Sequence, residues 1–303
     1  MDKKDKQYHQ PVLLKETLEK LAVKPGGLYI DATIGHAGHA LAICQQGGRL
    51  LGIDLDPHNL SIARERLHLA CPAPNLRGLG ALWQLSQANF KNIKSTARQN
   101  NFSPIDGILF DLGLSQNQQK GKGRGFSFSD TQSLDMRINP TQTKLTAAQI
   151  INSWPEKNLE ELLRLTVQER HAAQIAKAIV RRRKEKLFES GADLATFIAK
   201  SVPASSRNHP ATKLFLALKM TVNEEVENLK TALADSLSLL KKGGRLLVIS
   251  FHSTEDRLVK LWFLEKSQKK ELQLLGKAQS PTFTEIKKNP LARSAHLRTA
   301  QKL

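Results

Sequence analysis

Pro25-Gly26-Gly27-Leu28-Tyr29-Ile30-Asp31-Ala32-Thr33-Ile34-Gly35-His36-Ala37-Gly38, with Arg49-Leu50-Leu51-Gly52-Ile53-Asp54-Leu55-Asp56-Pro57 after it, carries the clearest architectural signal in the chain. A proline-glycine turn signal opens a short apolar run, Leu28 to Ala32, which ends in a loop of small residues. Helical spacing follows through Cys44 and stops at Gly47-Gly48. A second apolar run ends at Asp54, and Pro57 opens a helix at its first turn, where a missing N–H costs nothing. A third strand is expected over Leu82 to Ala88 and a fourth over Ile105 to Asp111. Strands separated by helices argue for βαβ units and a parallel sheet.

The alternation then breaks. Residues 113–145 carry Gly113, Gly121, Gly123, Gly125 and Pro140 among polar residues, which is loop chemistry. From Ala147 to Ser201 only helical spacing is found. A long helix is expected over Lys213 to Leu240, ended by Gly243-Gly244, with a core strand at Arg245 to Ser250. Two last strands are expected, around Thr282 to Ile286 and Ala295 to Thr299. The expected fold class is α/β, a Rossmann-like sheet domain of residues 1–117 and 208–303 interrupted by an all-helical insertion of residues 118–207.

Composition bounds the function. The 303 residues include 46 Lys and Arg against 28 Asp and Glu, net +18, and 40% are hydrophobic, enough for a real core. Two cysteines, Cys44 and Cys71, exclude a disulfide scaffold and fit a reducing, cytoplasmic compartment. No apolar run reaches the roughly 18 residues of a membrane span, and the first ten residues resemble neither a secretory signal nor a transit peptide. The charge is uneven: residues 118–207 carry +7 and residues 241–303 carry +9, against +3 over residues 1–117. Excess confined to two segments suggests a polyanion-binding face, most simply nucleic acid; solvated surface lysine is the alternative.

Asp31, Asp54 and Asp111 end strands, where ligands of open α/β sheets bind. Asp54 follows Gly35 by 19 residues, the placement of an acid that accepts from ribose hydroxyls. The glycines read Gly-x-x-Gly, not Gly-x-Gly-x-x-Gly, and no Walker Gly-Lys-Ser/Thr occurs. An adenosyl cofactor without a pyrophosphate, such as S-adenosylmethionine, fits better than a nicotinamide dinucleotide or ATP. Helix capping is the competing role for Asp31 and Asp54, and holding the loop that follows is the competing role for Asp111.

Further segments complete a pattern: Asp106-Gly107-Ile108-Leu109-Phe110-Asp111-Leu112-Gly113-Leu114-Ser115, Arg124-Gly125-Phe126-Ser127-Phe128, Leu134-Asp135-Met136-Arg137, His209-Pro210-Ala211-Thr212, Ser250-Phe251-His252-Ser253-Thr254-Glu255-Asp256-Arg257 and Asn289-Pro290-Leu291-Ala292-Arg293. Together these resemble the bacterial ribosomal RNA small-subunit methyltransferase H family, the MraW type, from His9 to Arg298. The resemblance implies an S-adenosylmethionine-dependent enzyme that methylates the exocyclic N4 of a cytidine in 16S ribosomal RNA near the decoding site. Its partner would be the small ribosomal subunit or a late assembly intermediate, and the chain itself a monomer or homodimer. Carried over by motif, the cofactor contacts are Ala37, Gly38, His39, Asp54, Phe90, Asp111 and Gln118. The family's Gly-x-Gly-Gly-His is here Gly35-His36-Ala37-Gly38-His39, and a methyl at position 37 requires a backbone angle open to a non-glycine residue.

Cytosine N4 is a weak nucleophile, so an acceptor at the amino group is expected, and Asp111 is the candidate catalytic residue. His252, Glu255 and Asp256 either line a target pocket, with Phe251 as a stacking surface, or cap a helix from Ser253. His36 and His39 lack a ligand set at metal spacing, so no metal is expected. Arg181-Arg182-Arg183 are either RNA contacts or cations at a helix end. Lys287, Lys288, Arg293 and Arg298 are candidates for phosphate contacts. The rival to catalysis is a non-catalytic RNA- or ribosome-binding protein that keeps the fold, a reading that Ala37 motivates.

Overall fold

The computed structural model describes residues 10–71, 82–113, 123–201 and 209–303. In chain order, α1 (Leu14–Leu21) precedes β1 (Leu28–Asp31), α2 (Gly38–Gln45), β2 (Arg49–Asp54), α3 (Pro57–Ala70), β3 (Trp83–Gln87), α4 (Ile93–Gln99) and β4 (Ile105–Asp111). Five helices follow: α5 (Ala147–Ser153), α6 (Glu156–Arg164), α7 (Glu169–Arg183), α8 (Gly191–Ser201) and α9 (Thr212–Val222). The chain then runs through α10 (Glu225–Leu239), β5 (Leu240–Ser250), α11 (Ser253–Gln268), β6 (Leu272–Leu274), α12 (Phe283–Lys288) and β7 (His296–Lys302). Two compact units result, Met1–Ser115 with Glu227–Leu303, and Gln116–Val226. Among the described residues no helix is long and apolar enough to cross a membrane.

The first unit is a seven-stranded sheet in the order β3-β2-β1-β4-β5-β7-β6. Strands β1 to β5 pair in parallel, and β7 runs antiparallel to both β5 and β6. This is the Rossmann-like α/β architecture expected of a methyltransferase sheet. Side chains alternate across a strand, and here both faces are apolar. Ile30, Ile108, Phe110 and Val248 pack on one side with Ile93 of α4, Leu233 of α10 and Val259 of α11. Tyr29, Leu109, Leu247 and Ile249 pack on the other with Ile43 of α2 and Ala63 and Leu67 of α3. Continuous apolar runs are the signature of strands covered twice. The carboxyl ends of β1, β2 and β4 therefore emerge from a layer that water does not reach.

Three expected elements differ. Thr282 to Ile286 is not a strand: Thr282 Oγ1 accepts from Glu285 N at 3.2 Å and starts α12. The helix expected over Lys213 to Leu240 is two helices, interrupted where Glu224 takes φ 52°. The sheet unit resumes at Glu227 rather than at residue 208, because α9 buries Leu214, Phe215, Leu218 and Val222 in the helical core.

In the second unit the Arg-Gly-Phe-Ser-Phe and Leu-Asp-Met-Arg motifs staple a loop. Asp130 Oδ2 accepts from Gly125 N at 2.8 Å, and Arg124 donates to the Arg137 and Ile138 carbonyls at 3.0 and 2.7 Å. A β-carbon on Gly125 would lie 2.6 Å from Asp135 N, so only glycine fits there. Asn223 closes the loop, donating to Met136 O and accepting from Ile138 N, both at 2.9 Å.

Two of the three consecutive arginines serve helix ends as well. Arg183 donates to Ile151 O and Trp154 O, each at 2.7 Å, satisfying carbonyls that the end of α5 leaves open. Arg182 donates to Asp193 at 3.1 Å and lies over the Phe188 ring. Arg181 is exposed. Arg183→Ala is accordingly expected to destabilise the protein by roughly 1.5–3 kcal/mol, the scale of hydrogen bonds to a charged donor, and Arg181→Ala by about 0.5 kcal/mol or less. Urea unfolding of the full chain followed by circular dichroism measures both; equal effects would refute the assignment.

Candidate active site

The loop after β1 is tied to the strands beside it. Ala32 N donates to Leu109 O and Ile34 N to Ile53 O, each at 2.9 Å, and Ala37 N closes a turn on Ile34 O at 2.8 Å. Gly35 sits at φ 48°, and a β-carbon there would meet only Thr33 O, at 3.9 Å. Ala37 also adopts the left-handed region, φ 60° and ψ 29°, immediately before α2. The expectation that an alanine here would impose an ordinary backbone angle is thus corrected: the alanine takes the glycine-like angle. Its methyl is fully buried in the cluster that contains Val12, Ile34 and Ala40. Gly38 has no such latitude, since a β-carbon would stand 3.0 Å from Pro11 Cβ.

Asp54 ends β2 and organises this loop. Oδ2 accepts from Gly35 N at 3.0 Å and Asn59 Nδ2 at 3.2 Å, and Oδ1 from Asp56 N at 2.8 Å. A carboxylate offers about four acceptor sites, so about one remains for a ligand hydroxyl. Asp56, not Asp54, caps α3, accepting from His58 N at 3.0 Å. Burial pushes Asp54 up to about 6, against the pull of those three donors.

Asp31 ends β1 at 2% exposure, and Oδ1 accepts from Thr33 N at 3.2 Å. Burial pushes it up to about 7. Asp111 ends β4, its backbone N–H donating to Thr33 Oγ1 at 2.7 Å. Oδ2 lies 3.5 Å from His39 Nδ1, while Oδ1 is buried without a hydrogen-bond partner. Burial, then the nearby Asp31 and Glu255 charges, push Asp111 up to about 8. His39 is itself buried, and its Nε2 donates to Val12 O at 3.0 Å, since a carbonyl can only accept. That bond turns Nδ1 toward Asp111. His39 is thus held by Val12 and Asp111 within the protein, which is a different placement from a loop side chain open to a cofactor.

Phe90 follows β3, half-buried, edge-to-face with Phe110 at 5.9 Å. Gln118 lies outside the described residues. After β5, His252 rather than Ser253 caps α11, its Nδ1 accepting from Glu255 N at 3.4 Å. Glu255 Oε1 stands 3.0 Å from His252 Nε2, and Oε2 accepts from Phe251 N at 3.3 Å. Asp256 is taken by Arg298 in a two-pronged ion pair of 2.7 and 2.8 Å. That pairing removes Asp256 from a target pocket and Arg298 from the phosphate contacts expected of it. The Phe251 ring fills the space beside Gly113, 3.2 Å from where a β-carbon would be.

The structure brings Asp31, Asp54, Asp111, His39 and Glu255 to the carboxyl end of one sheet. Thr33, Val12 and Asn59, which position them, escape sequence reasoning: Thr33 meets Asp111 across 78 residues, and no local pattern encodes that pairing. Among the described residues no Lys or Arg pairs with the three aspartates. Anionic phosphates would meet carboxyls here, whereas a cation or an amine donor would find an unpartnered oxygen, Asp111 Oδ1.

The chain resembles known proteins along its whole length. The MraW methylase family matches residues 6–303. The ribosomal RNA small subunit methyltransferase H of Carboxydothermus hydrogenoformans is 40% identical over 314 residues, spanning 97% of this chain and 98% of its own. The protein of the same name from Nitrosococcus oceani is 38% identical over 323 residues, spanning 100% and 99%. The crystal structure of an rRNA methylase from Streptococcus thermophilus superposes with a TM-score of 0.45 at 11% identity over 95% of each chain. A match from residue 6 to residue 303, with relatives of such identity over nearly their full length, establishes that the chain belongs to the MraW methylase family.

Proposed function

We propose that this methyltransferase uses S-adenosylmethionine to methylate the exocyclic N4 of a cytidine in 16S ribosomal RNA, in the cytoplasm, on the small subunit or a late precursor of it. The observation that carries the reading is Asp111 Oδ1, a buried acceptor without a partner at the end of β4. It is set among acids that no Lys or Arg neutralises among the described residues. S-adenosylmethionine, when bound, supplies a methyl group made electrophilic by a cationic sulfonium. The residues fit that group: the open Gly35 turn admits a close approach, Asp54 keeps an acceptor site for a ribose hydroxyl, and Phe90 offers a ring for the adenine. Ala37, Gly38 and His39 shape the loop from behind, and Gln118 completes the family's set of cofactor contacts.

Asp111 does the chemistry this chain contributes. The target amine gains a methyl and must lose a proton, and its lone pair is delocalised into the ring. An acceptor at Oδ1 orients the N–H and takes the proton as positive charge forms. His39 Nδ1 beside Oδ2 provides a second seat for that proton, while Val12 O fixes the ring. RNA binding falls to the basic surface, with Lys287, Lys288 and Arg293 exposed on the sheet unit and Arg181 on the helical one.

Asp111→Asn keeps size and removes the charge. Turnover should fall about 10²–10⁴-fold, the range of general-base catalysis, while RNA affinity changes less than about threefold. Mass spectrometry of ribosomal RNA nucleosides from a deletion strain complemented with either form reads the modification and its target atom. Turnover within a few-fold of wild type would refute the acceptor role.

Cofactor binding should depend on pH. The three aspartates hold protons more tightly than free carboxyls, because burial disfavours their ionised forms, and a bound cation reverses that preference. Binding therefore releases protons. Affinity for S-adenosylmethionine should rise as pH increases from about 6 to about 8, the span of the raised values, and level off above it. The uncharged thioether product should show a shallower rise. Calorimetry in buffers of different ionisation enthalpy measures the protons released; a flat profile for both would exclude the acids from the site.

A further inference from the structure

Phe283 is the most exposed large apolar side chain of the described residues, at 82%. It opens α12, a six-residue helix that also carries Lys287 and Lys288, with Arg293 in the turn that follows. All three cations are exposed, and none makes an ion pair among the described residues. The one acid of the helix, Glu285, points the other way: Oε1 accepts from Leu13 N at 2.7 Å and anchors the helix to the sheet unit. The outer face therefore keeps its positive charge beside an uncovered ring. Positions four apart share a helix face, so Phe283 and Lys287 stand together.

The helix borders an open groove of about 250 Å³ lined by Gln10, Pro11, Thr284, Glu285, Lys288 and Asn289. Pro11 forms the far wall, and the same ring lies against Gly38, the first residue of α2. Phe283 and Lys287 lie outside this groove; its Lys288 side is joined through one proline to the loop that leads from β1. An isolated exposed phenylalanine would need no explanation. Here it sits among unpaired cations within the segment that carries +9 of the chain's +18. Charge of that sign selects a polyanion, and a free ring selects one whose bases are unstacked.

We propose that Phe283 is a stacking platform for an unpaired nucleotide of the RNA substrate, with Lys287, Lys288 and Arg293 holding the flanking phosphates. This rests on the reading of the protein as an RNA methyltransferase and adds to it a residue, a face and a strandedness. The ring takes one base, the lysines take the backbone on either side, and a base-paired segment cannot present an open face to it.

The test uses the full-length protein and two fluorescent probes, a single-stranded 12-nucleotide RNA and a duplex RNA of equal length, titrated at several salt concentrations. Phe283→Ala should weaken single-strand binding about tenfold or more, the loss expected for one base–aromatic stack, and leave the salt slope and duplex binding unchanged. Phe283→Trp should bind as wild type does. Lys287→Gln with Lys288→Gln should flatten the single-strand salt slope by about 1.4, at about 0.7 per contact. Calorimetry with S-adenosylmethionine serves as the folding control and should be unaffected in every variant. Wild-type affinity in Phe283→Ala overturns the stacking role alone. A parallel loss of duplex binding also overturns it, by making the face a non-specific cation patch. Failure of the wild-type protein to bind either RNA overturns the RNA reading itself. A change in sedimentation of Phe283→Ala at unchanged RNA affinity would assign the face to a second copy of the chain.

Discussion

The burial of carboxyl groups at the end of a doubly covered sheet governs the rest of the first unit. Strands β1, β2 and β4 are apolar on both faces; Asp31, which ends β1, is closed to water, and Asp54 and Asp111, which end β2 and β4, are half-buried. No Lys or Arg among the described residues compensates them. What remains is local: N–H donors from Thr33, Gly35 and Asp56, the Asn59 side-chain amide, and one imidazole. The Asp56 and Asn59 donors come from the turn and helix after β2, but those from Thr33, Gly35 and His39 require the loop after β1 to fold back over the strand ends, and that is the shape it takes. Proton affinity and loop geometry are thus two results of one constraint. A site built this way sets carboxyls, with no Lys or Arg partner among the described residues, where a dinucleotide site on a sheet of this kind would receive a pyrophosphate.

Positive charge is distributed by a different rule. Arginines at motif positions act largely as structural clamps. Arg124 and Arg137 tie the loop before α5, Arg183 closes a helix end, and Arg298 holds Asp256. A planar guanidinium serves several acceptors at once, which suits a clamp, whereas a lysine is a compact charge on a flexible stem. The cations left for a polyanion are accordingly mostly lysines. A net charge of +18 overstates the binding surface, because much of its arginine is already engaged.

The sheet was legible because its signals are local and redundant. Apolar runs, proline and glycine punctuation and terminal aspartates repeat at β1, β2 and β4, and the strands fall where that pattern puts them. Boundaries set by packing were not legible. Nothing in Lys213 to Leu240 marks the point where one helical spacing leaves the helical core and another joins the sheet; the break is a left-handed Glu224. At Thr282 to Ile286 a strand was expected, but a Thr-x-x-Glu start signal was present and the cap decided. In the site, residue types at strand ends were readable. Their partners were not: Thr33 meets Asp111 across 78 residues, and Val12 acts on the site through His39, 27 residues away.

Ala37 shows how a departure from a motif can be absorbed by the backbone. A left-handed angle costs an L-residue other than glycine about 1–2 kcal/mol. Burying one methyl returns about 0.8 kcal/mol, and an alanine loses less chain freedom on folding than a glycine does. The terms nearly cancel, so the turn keeps its conformation with either residue. The direction of the methyl matters more than its cost. It is fully buried in the cluster with Val12 and Ile34, so a ligand over Gly35 meets the backbone and not the added carbon. The substitution therefore leaves intact what the loop does: it presents Gly35 N to Asp54, begins α2 at Gly38 and holds His39 where Asp111 can reach it. An alanine in the loop with that geometry does not mark a protein that has lost its cofactor.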